Sequence, residues 1–357
     1  MTRSAPHRRF GPPGIAFALA AAALFGLATP FAKVLLGTIS PVMMAGLLYL
    51  GSGGGLLLWR ALRGGAGREA PLSRRDLPFL AGAVLMGGLL GPILLMFGLR
   101  GSPAAVASLL LNLEGVFTAL LAWFVFHENF DRRVATGMAA IVAGGVVLAW
   151  SGGGSAPPLA AAAVAGACLC WAIDNNVTQK ISAADPLQVA ALKGAAAGAV
   201  NLTIGLATGS RVPPLDRLVG ALVVGFLGYG VSLALFVLAL RHLGTARTGA
   251  YFSVAPFIGA TASIVILQET ASARLLGGGA LMAAGVWLHL TERHEHEHHH
   301  EPLTHSHRHR HDEHHRHEHE AGVDPREPHT HLHTHEPLTH RHPHYPDLHH
   351  LHRHGGS

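Results

Sequence analysis

A single carboxyl group stands inside an apolar stretch of this sequence, where it could take part in chemistry. Glu114 lies near the middle of the apolar run 103–126, beside Asn112. Polar groups deep in a membrane are costly and are functional by default. A carboxyl group there can exchange a proton or bind a cation, which would couple proton movement to transport. The alternative is a structural role, in which Glu114 accepts a hydrogen bond from a neighbouring helix.

A second polar cluster, Asp174, Asn175 and Asn176, interrupts a later apolar run. One carboxylate and two amides can bind a cation or the polar end of a metabolite, so these residues are predicted to line a cavity. Asp174 could instead pair with a basic residue from another helix. Two aromatic residues, Trp171 and Tyr251, are candidate walls of the same cavity.

The third group of candidate ligands is a histidine-rich tail, which holds 24 of the 28 His of the chain after Thr291. Its composition cannot bury a core, so it is predicted to be disordered without a ligand. Neutral imidazole suits Zn, Ni, Cu and Co ions, and the tail is expected to bind such metals without selecting one. The candidate metal ligands alternate along two short stretches: His305, His307, His309, His329, His331, His333 and His335.

Other charged residues lie near the ends of apolar runs. Lys33, Lys180 and Lys193 are predicted to extend to the membrane interface, because a lysine stem can lie along apolar surface while its amine reaches water. Glu128 and Glu269 are predicted to be structural, either capping the following helix or pairing with a nearby arginine.

The elements that hold these groups are long apolar segments. Charged residues make up only 13% of the chain, against about 25% in a soluble domain. Only helices or closed barrels satisfy the backbone in lipid, and these runs are too long and continuous for barrel strands. The sequence therefore predicts an all-α membrane protein with ten transmembrane helices, each near the roughly 20 residues that span the hydrocarbon. The runs are 14–36, 41–60, 77–99, 103–126, 133–150, 159–180, 186–208, 217–240, 244–267 and 273–290.

An internal repeat organises these runs. Residues 97–148 and 238–289 align without a gap at an offset of 141, with ten of 52 positions identical. The first helices of the two halves match more loosely, at an offset of 146 or 147. Because five helices per half is an odd number, the second half is predicted to be inverted, as in secondary transporters with a site between the halves. The pseudo-symmetry is broken at Glu114, whose equivalent is Ala255.

Charge distribution predicts the orientation and the partners. Among the loops and span ends before the tail, thirteen Lys and Arg fall on one side of the membrane and five on the other. This bias predicts an integral protein of the cytoplasmic (inner) membrane with both termini in the cytoplasm. The basic residues before the tail cluster at helix ends and form no basic amphipathic face, so the net charge of +5 does not indicate a nucleic-acid partner. Cys168 and Cys170 are too few and too close for a disulfide framework, and are either packing residues or a soft-metal pair. The expected organisation is a cytoplasmic N-terminus (1–13), a first repeat (14–150), a linker (151–158), a second repeat (159–290) and the tail (291–357).

Four segments carry a resemblance to a known family: 23–41, 111–129, 167–194 and 252–270. They resemble the drug/metabolite transporter superfamily, in its EamA-like branch. The resemblance implies a ten-helix bundle with a central cavity, alternating access, outward movement of small solutes and no ATPase domain. The absence of a Gly-x-x-x-x-Gly-Lys-Ser/Thr phosphate loop in the sequence agrees with the last point.

The leading hypothesis is thus a secondary transporter that exports a small metabolite or amino-acid-like solute, with no enzymatic activity and no required cofactor. Its partners would be the lipid bilayer, the solute and divalent metal ions at the tail. A homodimer is a further candidate assembly. One alternative is a divalent Ni, Co or Zn transporter supplied by the tail. Another is a membrane-anchored metal-storage or sensor protein.

Overall fold

The computed structural model describes residues 13–62, 72–126, 132–150, 157–179, 181, 185–243, 245–290 and four segments of the tail. Fourteen α-helices occupy the membrane part of this described chain. They are α1 (Pro13–Leu35), α2 (Pro41–Leu62), α3 (Leu77–Ala83), α4 (Gly91–Gly101), α5 (Ala104–Leu110), α6 (Leu113–Phe126), α7 (Arg132–Ala149), α8 (Pro158–Gln179), α9 (Pro186–Ala207), α10 (Leu215–Gly225), α11 (Ser232–Leu243), α12 (Thr245–Phe252), α13 (Ala255–Leu267) and α14 (Ala273–Leu290).

These helices combine into the ten predicted spans, which confirms the expected fold class. Within the described residues, nine helical segments are long and apolar enough to cross a membrane, and the tenth, α14, has a shorter apolar stretch. The third span joins α3 to α4 through a π-helical segment, Val84–Leu90, after a short 3₁₀ helix at Arg74–Asp76. The eighth span joins α10 to α11 through a second π-helical segment, Phe226–Val231. The fourth and ninth spans are each two helices.

The repeat appears in the packing as reciprocal contacts. Gly144 of α7 lies against Gly278 of α14. At the offset of 141, Gly144 corresponds to Gly285 and Gly278 corresponds to Gly137, and Gly285 does lie against Gly137. Such an exchange of equivalent partners is what a two-fold relation between the halves produces. Small residues let the two backbones approach closely in lipid.

The inversion of the second half is visible where α2 packs against α9. These helices are the second spans of the two halves. Both start at proline, and both contain 22 residues. Their contacts run in opposite chain directions, because they join, in order, Met43 to Gly205, Leu50 to Gly198 and Gly53 to Gly194. Equivalent helices that meet antiparallel belong to halves of opposite orientation, as the odd number of helices predicts.

The fourth and ninth spans are broken at equivalent positions. The break between α5 and α6 includes Asn112, whose Nδ2 donates to the Leu109 carbonyl at 2.8 Å. The break between α12 and α13 includes Ser253, whose Oγ donates to the Ala250 carbonyl at 2.7 Å. Each side chain bonds back to a carbonyl three residues earlier, and the Leu109 carbonyl also accepts from the Asn112 amide at 3.1 Å. Asn and Ser compete for backbone groups in this way, which favours an interruption where they stand.

Four short segments of the tail are described, and all four are strands. Two antiparallel pairs of strands form there: β1 (Glu295–His300) with β4 (Leu338–Pro343), and β2 (Leu303–His309) with β3 (His329–His335). Antiparallel pairing satisfies the backbone without a buried core, which composition alone does not reveal. The register places His305 opposite His333, His307 opposite His331 and His309 opposite His329.

Candidate functional site

The site is built on the π-helical segment Val84–Leu90. Pro92 follows it, and proline removes one backbone donor and excludes the carbonyl four residues earlier from the helical ladder. That carbonyl belongs to Gly88, and it accepts a hydrogen bond from Asn201 Nδ2 at 3.0 Å. The irregular turn thus exposes backbone oxygens to side chains of other helices. Asn201 itself is fully buried, and its Oδ1 has no hydrogen-bond partner among the described residues.

The neighbouring carbonyl of Gly87 collects two further donors. Tyr49 Oη donates to it at 2.6 Å from α2, and Trp171 Nε1 donates to it at 3.0 Å from α8. Glycine is required here, since a Cβ atom at Gly87 would collide with the carboxyl group of Asp174. The second, third and sixth spans therefore meet at Gly87. The sequence prediction includes Trp171 in the site, and it does not include Tyr49 or Gly87.

Asp174 forms a buried ion pair with Lys193. Its Oδ2 lies 2.6 Å from Lys193 Nζ, and its Oδ1 accepts a hydrogen bond from Thr178 at 2.9 Å. The side chains of Asp174 and Lys193 are 5% and 20% exposed. The expectation that Lys193 extends to the interface is wrong, because its amine is held by this carboxylate. The alternative, that Asp174 pairs with a basic residue from another helix, describes the observed contact.

Glu114 stands beside this pair, at the start of α6. Its Oε1 accepts a hydrogen bond from Asn175 Nδ2 at 2.9 Å, so the two predicted clusters meet. Asn175 is exposed and Glu114 is half-buried, which leaves this contact open on one side. Asp174 and Lys193 lie within electrostatic reach of Glu114. The two predicted carboxylates thus lie in one neighbourhood, with Lys193 bonded to Asp174 and Asn175 bonded to Glu114.

Three other candidates have different surroundings. Asn112 is buried and bonds to the carbonyl of its own helix break, as described above. Asn176 Nδ2 donates to the Ala172 carbonyl of its own helix at 2.8 Å. Tyr251 is half-buried in α12. None of these three makes a side-chain hydrogen bond to Asp174, Glu114 or Lys193 within the described part of the chain.

The equivalent place in the other half has the same packing and no charge. Gly228, the counterpart of Gly87 at the offset of 141, lies against Ala28 as Gly87 lies against Asp174. This contact fixes the offset of α1 and α8 at 146, one of the two values that the sequence allowed. Trp171 then corresponds to Phe25. All the charged groups of the site are on one side of the pseudo-two-fold axis.

The uncharged side presents aromatic rings. The ring centroids of Tyr49 and Tyr229 are 5.9 Å apart, those of Tyr229 and Phe25 are 5.7 Å apart, and those of Phe25 and Phe252 are 5.6 Å apart. Tyr49 belongs to both sets, because its hydroxyl bonds to the Gly87 carbonyl while its ring meets Tyr229. The site therefore has a charged wall and an aromatic wall.

One end of the bundle is closed by contacts of Lys33 within the first half and of Glu269 between the halves. Lys33 Nζ donates to the carbonyls of Leu99 and Ser102 at 2.6 and 2.7 Å, at the end of the third span. The Glu269 carboxylate accepts from the amides of Ala104 and Ala105 at 2.7 and 2.8 Å, at the start of α5. Glu269 thus caps a helix, as one prediction had it, but the helix belongs to the other half.

The predictions for two further charged residues, and for many of the tail histidines, concern positions that the structure does not describe. Glu128 and Lys180 lie outside the described residues, as do many of the tail histidines. For the seven candidate metal ligands the structure gives the backbone register alone. Within the described residues, no group of three or more His, Cys, Asp or Glu side chains is arranged to hold a metal ion.

A lysine in the site can be anticipated from its position. Lys193 is seven residues inside α9, about 10 Å from the start of the helix along its axis. That distance exceeds what a lysine stem covers comfortably, so a buried partner is the better expectation. Tyr49 and Gly87 carry no comparable signal, since Tyr and Gly are ordinary residues of packed membrane helices.

Comparison with known proteins decides the family. Residues 12–150 and 158–291 each match the EamA-like transporter family. The chain belongs to this family. It is therefore an integral, multi-pass membrane protein that transports small solutes, as the resemblance implied, and the family and the relatives below are transporters rather than enzymes.

Three relatives are similar over much of their length. An uncharacterized transporter of Methanothermobacter thermautotrophicus is 28% identical over 76% of this chain and 84% of its own. A probable amino-acid metabolite efflux pump of Salmonella typhimurium is 29% identical over 53% of this chain and 68% of its own. A probable terminal-alkyne amino-acid exporter of Streptantibioticus cattleyicolor is 27% identical, covering 60% and 73%. One crystal structure, 18% identical, shares the fold with a TM-score of 0.59 over 78% of this chain and 96% of its own.

Proposed function

We propose that this EamA-like transporter exports an amino-acid-like metabolite across the cytoplasmic membrane by alternating access, with Glu114 exchanging a proton. The observation that carries the proposal is the meeting of Glu114, Asn175, Asp174 and Lys193 beside an irregular helix. Interrupted helices and charged groups at the interface of inverted repeats are how transporters of this kind build a solute site. Two of the relatives are named for the outward movement of amino-acid compounds.

Proton exchange is assigned to Glu114 rather than to Asp174. Asp174 is held by a lysine and a hydroxyl, so its charge is matched in this conformation. Glu114 has an amide as its hydrogen-bonding partner and a half-buried position, so a proton or a cation can reach it. A carboxylate without a paired cation in a bilayer is the group whose protonation changes its energy most.

Both termini are placed in the cytoplasm by this proposal. Of the eighteen Lys and Arg residues at the ends of the spans and in the loops before the tail, thirteen then lie on the cytoplasmic side, which is the usual bias. The closed end of the bundle, with Lys33 and Glu269, would face outward. A cysteine placed at Arg211, which is exposed in the loop after α9, should then react with a membrane-impermeant thiol reagent in whole cells. The variant is made with both native cysteines changed to Ser.

The test of the function uses the full chain in proteoliposomes loaded with a mixture of radiolabelled amino acids. Efflux should be driven by an inward proton gradient in the wild-type protein. Glu114→Gln should lose this dependence on the gradient. Asp216→Asn is the matched control, since Asp216 is an exposed carboxylate beside Arg217, and it should behave as wild type. Normal transport by Glu114→Gln at every pH would remove Glu114 from the coupling role.

A second proposal concerns the tail, which we infer to bind divalent transition-metal ions. The backbone register of β2 and β3 supports it, because histidines stand opposite each other at three alternate positions. Imidazole pairs are suitable ligands for Zn, Ni, Co and Cu ions. Calorimetry with Zn²⁺ and Ni²⁺ on the full chain should show binding that a deletion after Thr291 removes. If the deletion also abolishes metal efflux from cells, the metal-transporter alternative replaces amino-acid export.

A further inference from the structure

We propose that the Asp174–Lys193 ion pair is the recognition element for a zwitterion, so that the transported solute must carry both a free carboxylate and a free ammonium group. This inference rests on the proposed function and names the chemistry that the site selects. The solute carboxylate would take the place of Asp174 at Lys193. The solute ammonium would then be held by Asp174 and by Glu114, whose carboxylates lie nearby.

The first argument is that the fold does not need this ion pair. Taking two charges out of water is expensive, and a buried pair is often no more stabilising than apolar residues of similar size. The other half of the protein supplies those apolar residues. Ala28 stands where Asp174 stands, and Leu48 of α2 stands where Lys193 stands in α9, since both helices start at proline and have equal length. The same scaffold is therefore built once with charges and once without.

The second argument is the balance of charge. Glu114, Asp174 and Lys193 together carry one more negative than positive charge when all are ionised. A zwitterion exchanges one internal ion pair for two new ones and leaves no charge of the site without a partner. An N-acylated acid would separate Lys193 from Asp174 and leave that carboxylate buried and unmatched. An amine without a carboxylate could reach Glu114 and would gain nothing from Lys193.

The third argument is the shape of the surroundings. Lys193 is 20% exposed whereas Asp174 is 5% exposed, so the amine is the reachable end of the pair. Asp174 packs against Gly87, whose carbonyl accepts a hydrogen bond from the Tyr49 hydroxyl. The Tyr49 ring begins the aromatic wall that continues to Tyr229 and Phe25. A solute with its charged end at Lys193 would therefore lay an apolar side chain along these rings. An apolar α-amino acid would present its charged end to the charged wall and its side chain to the aromatic wall.

The decisive variant copies the uncharged half into the charged one. Asp174→Ala combined with Lys193→Leu reproduces Ala28 and Leu48, so we expect it to accumulate in the membrane and to unfold at a temperature close to that of the wild type. Leucine efflux from proteoliposomes should fall by roughly tenfold or more, because the desolvated charge pair is gone. The matched control is Arg60→Met with Asp185→Asn, which removes the ion pair between α2 and the start of α9 while keeping a capping side chain. That control should transport leucine at the wild-type rate.

Competition with wild-type protein provides a measurement that does not depend on any variant folding. Unlabelled leucine should inhibit labelled leucine efflux, whereas 3-methylbutylamine, which lacks the carboxylate, and N-acetylleucine, which lacks the ammonium, should inhibit at least roughly tenfold more weakly. Equal inhibition by either analogue would overturn the zwitterion requirement, as would normal leucine efflux by the double variant. If the wild-type protein moves no amino acid of the mixture tested above, the proposed function fails and the inference falls with it.

Discussion

The surroundings of Gly87 and Gly228 are the same piece of structure used twice. Each glycine lies in a π-helical segment and packs against the first helix of the opposite half, on Asp174 in one case and on Ala28 in the other. Around Gly87 the partners are charged or hydrogen-bonded, and around Gly228 they are aromatic or small. The difference teaches that the inverted repeat supplies a scaffold, while the unlike residues at matching positions supply the chemistry.

The comparison also separates stability from function. An apolar version of the site exists within the same molecule, so burial of Asp174 and Lys193 is not required for the helices to pack. Substitutions that move the charged side toward the uncharged side should therefore cost transport more than folding. Substitutions at positions that both halves use alike should cost folding more than transport.

The largest effect is expected at Gly87. Gly87→Ala would drive a methyl group into the Asp174 carboxylate, which Lys193 and Thr178 hold in place, so transport should fall roughly tenfold or more and stability should fall by about 1–3 kcal/mol. Gly228→Ala meets the methyl group of Ala28 and should cost similar stability, with transport per folded molecule retained. Efflux and thermal unfolding in detergent measure the two quantities. Equal loss of transport in both variants would contradict the asymmetry.

The next effect is on stability, at Glu269. Its carboxylate accepts two backbone amides at the start of α5, so Glu269→Ala should destabilise the protein by about 1–2 kcal/mol, as for loss of a helix cap. Glu269→Gln keeps one acceptor oxygen and should lose less. Because Glu128 is identical at the offset of 141, Glu128→Ala should lose a similar amount in thermal unfolding. A loss for one residue only would show that the two ends of the bundle are closed differently.

A smaller effect on transport is expected at Asn175, whose counterpart at the offset of 146 is Thr29. Asn175→Thr copies the other half and removes the amide that holds Glu114, so efflux should fall by roughly three- to tenfold while unfolding changes by less than about 0.5 kcal/mol. Asn176→Ala is the control, since Asn176 bonds within its own helix. If Asn176→Ala reduces efflux as much as Asn175→Thr, the amide bond to Glu114 is not the cause.

The smallest effect is expected where the halves agree. Asn112→Ala and Ser253→Ala each remove a side chain that bonds to a carbonyl at a helix break, so each should cost about 1 kcal/mol in thermal unfolding. Transport per folded molecule should remain near that of the wild type for both. A selective loss of efflux in Asn112→Ala would return Asn112 to the solute site, where the sequence places it.

Some residues of the site can be predicted from the sequence, because a charged side chain inside an apolar run costs free energy in a membrane. A carboxylate in the middle of an apolar run needs an explanation, and this singles out Glu114 and Asp174 from the order of residues alone. Lys193 is seven residues inside α9, so its position predicts a buried partner but does not identify that partner. Its partner, 19 residues earlier on the preceding helix, depends on which faces of α8 and α9 meet.

The sequence by itself determined the membrane class, the ten spans and the inversion of the second half. These follow from hydrophobic length, from an ungapped repeat and from an odd number of helices, all of which are properties of the chain taken in order. The tertiary structure alone decided the offset of α1 and α8, the ion pair, the π-helical segments and the charged and aromatic walls. Each of these depends on which residues of distant helices touch, and a contact between helices is set by close packing that no local pattern encodes.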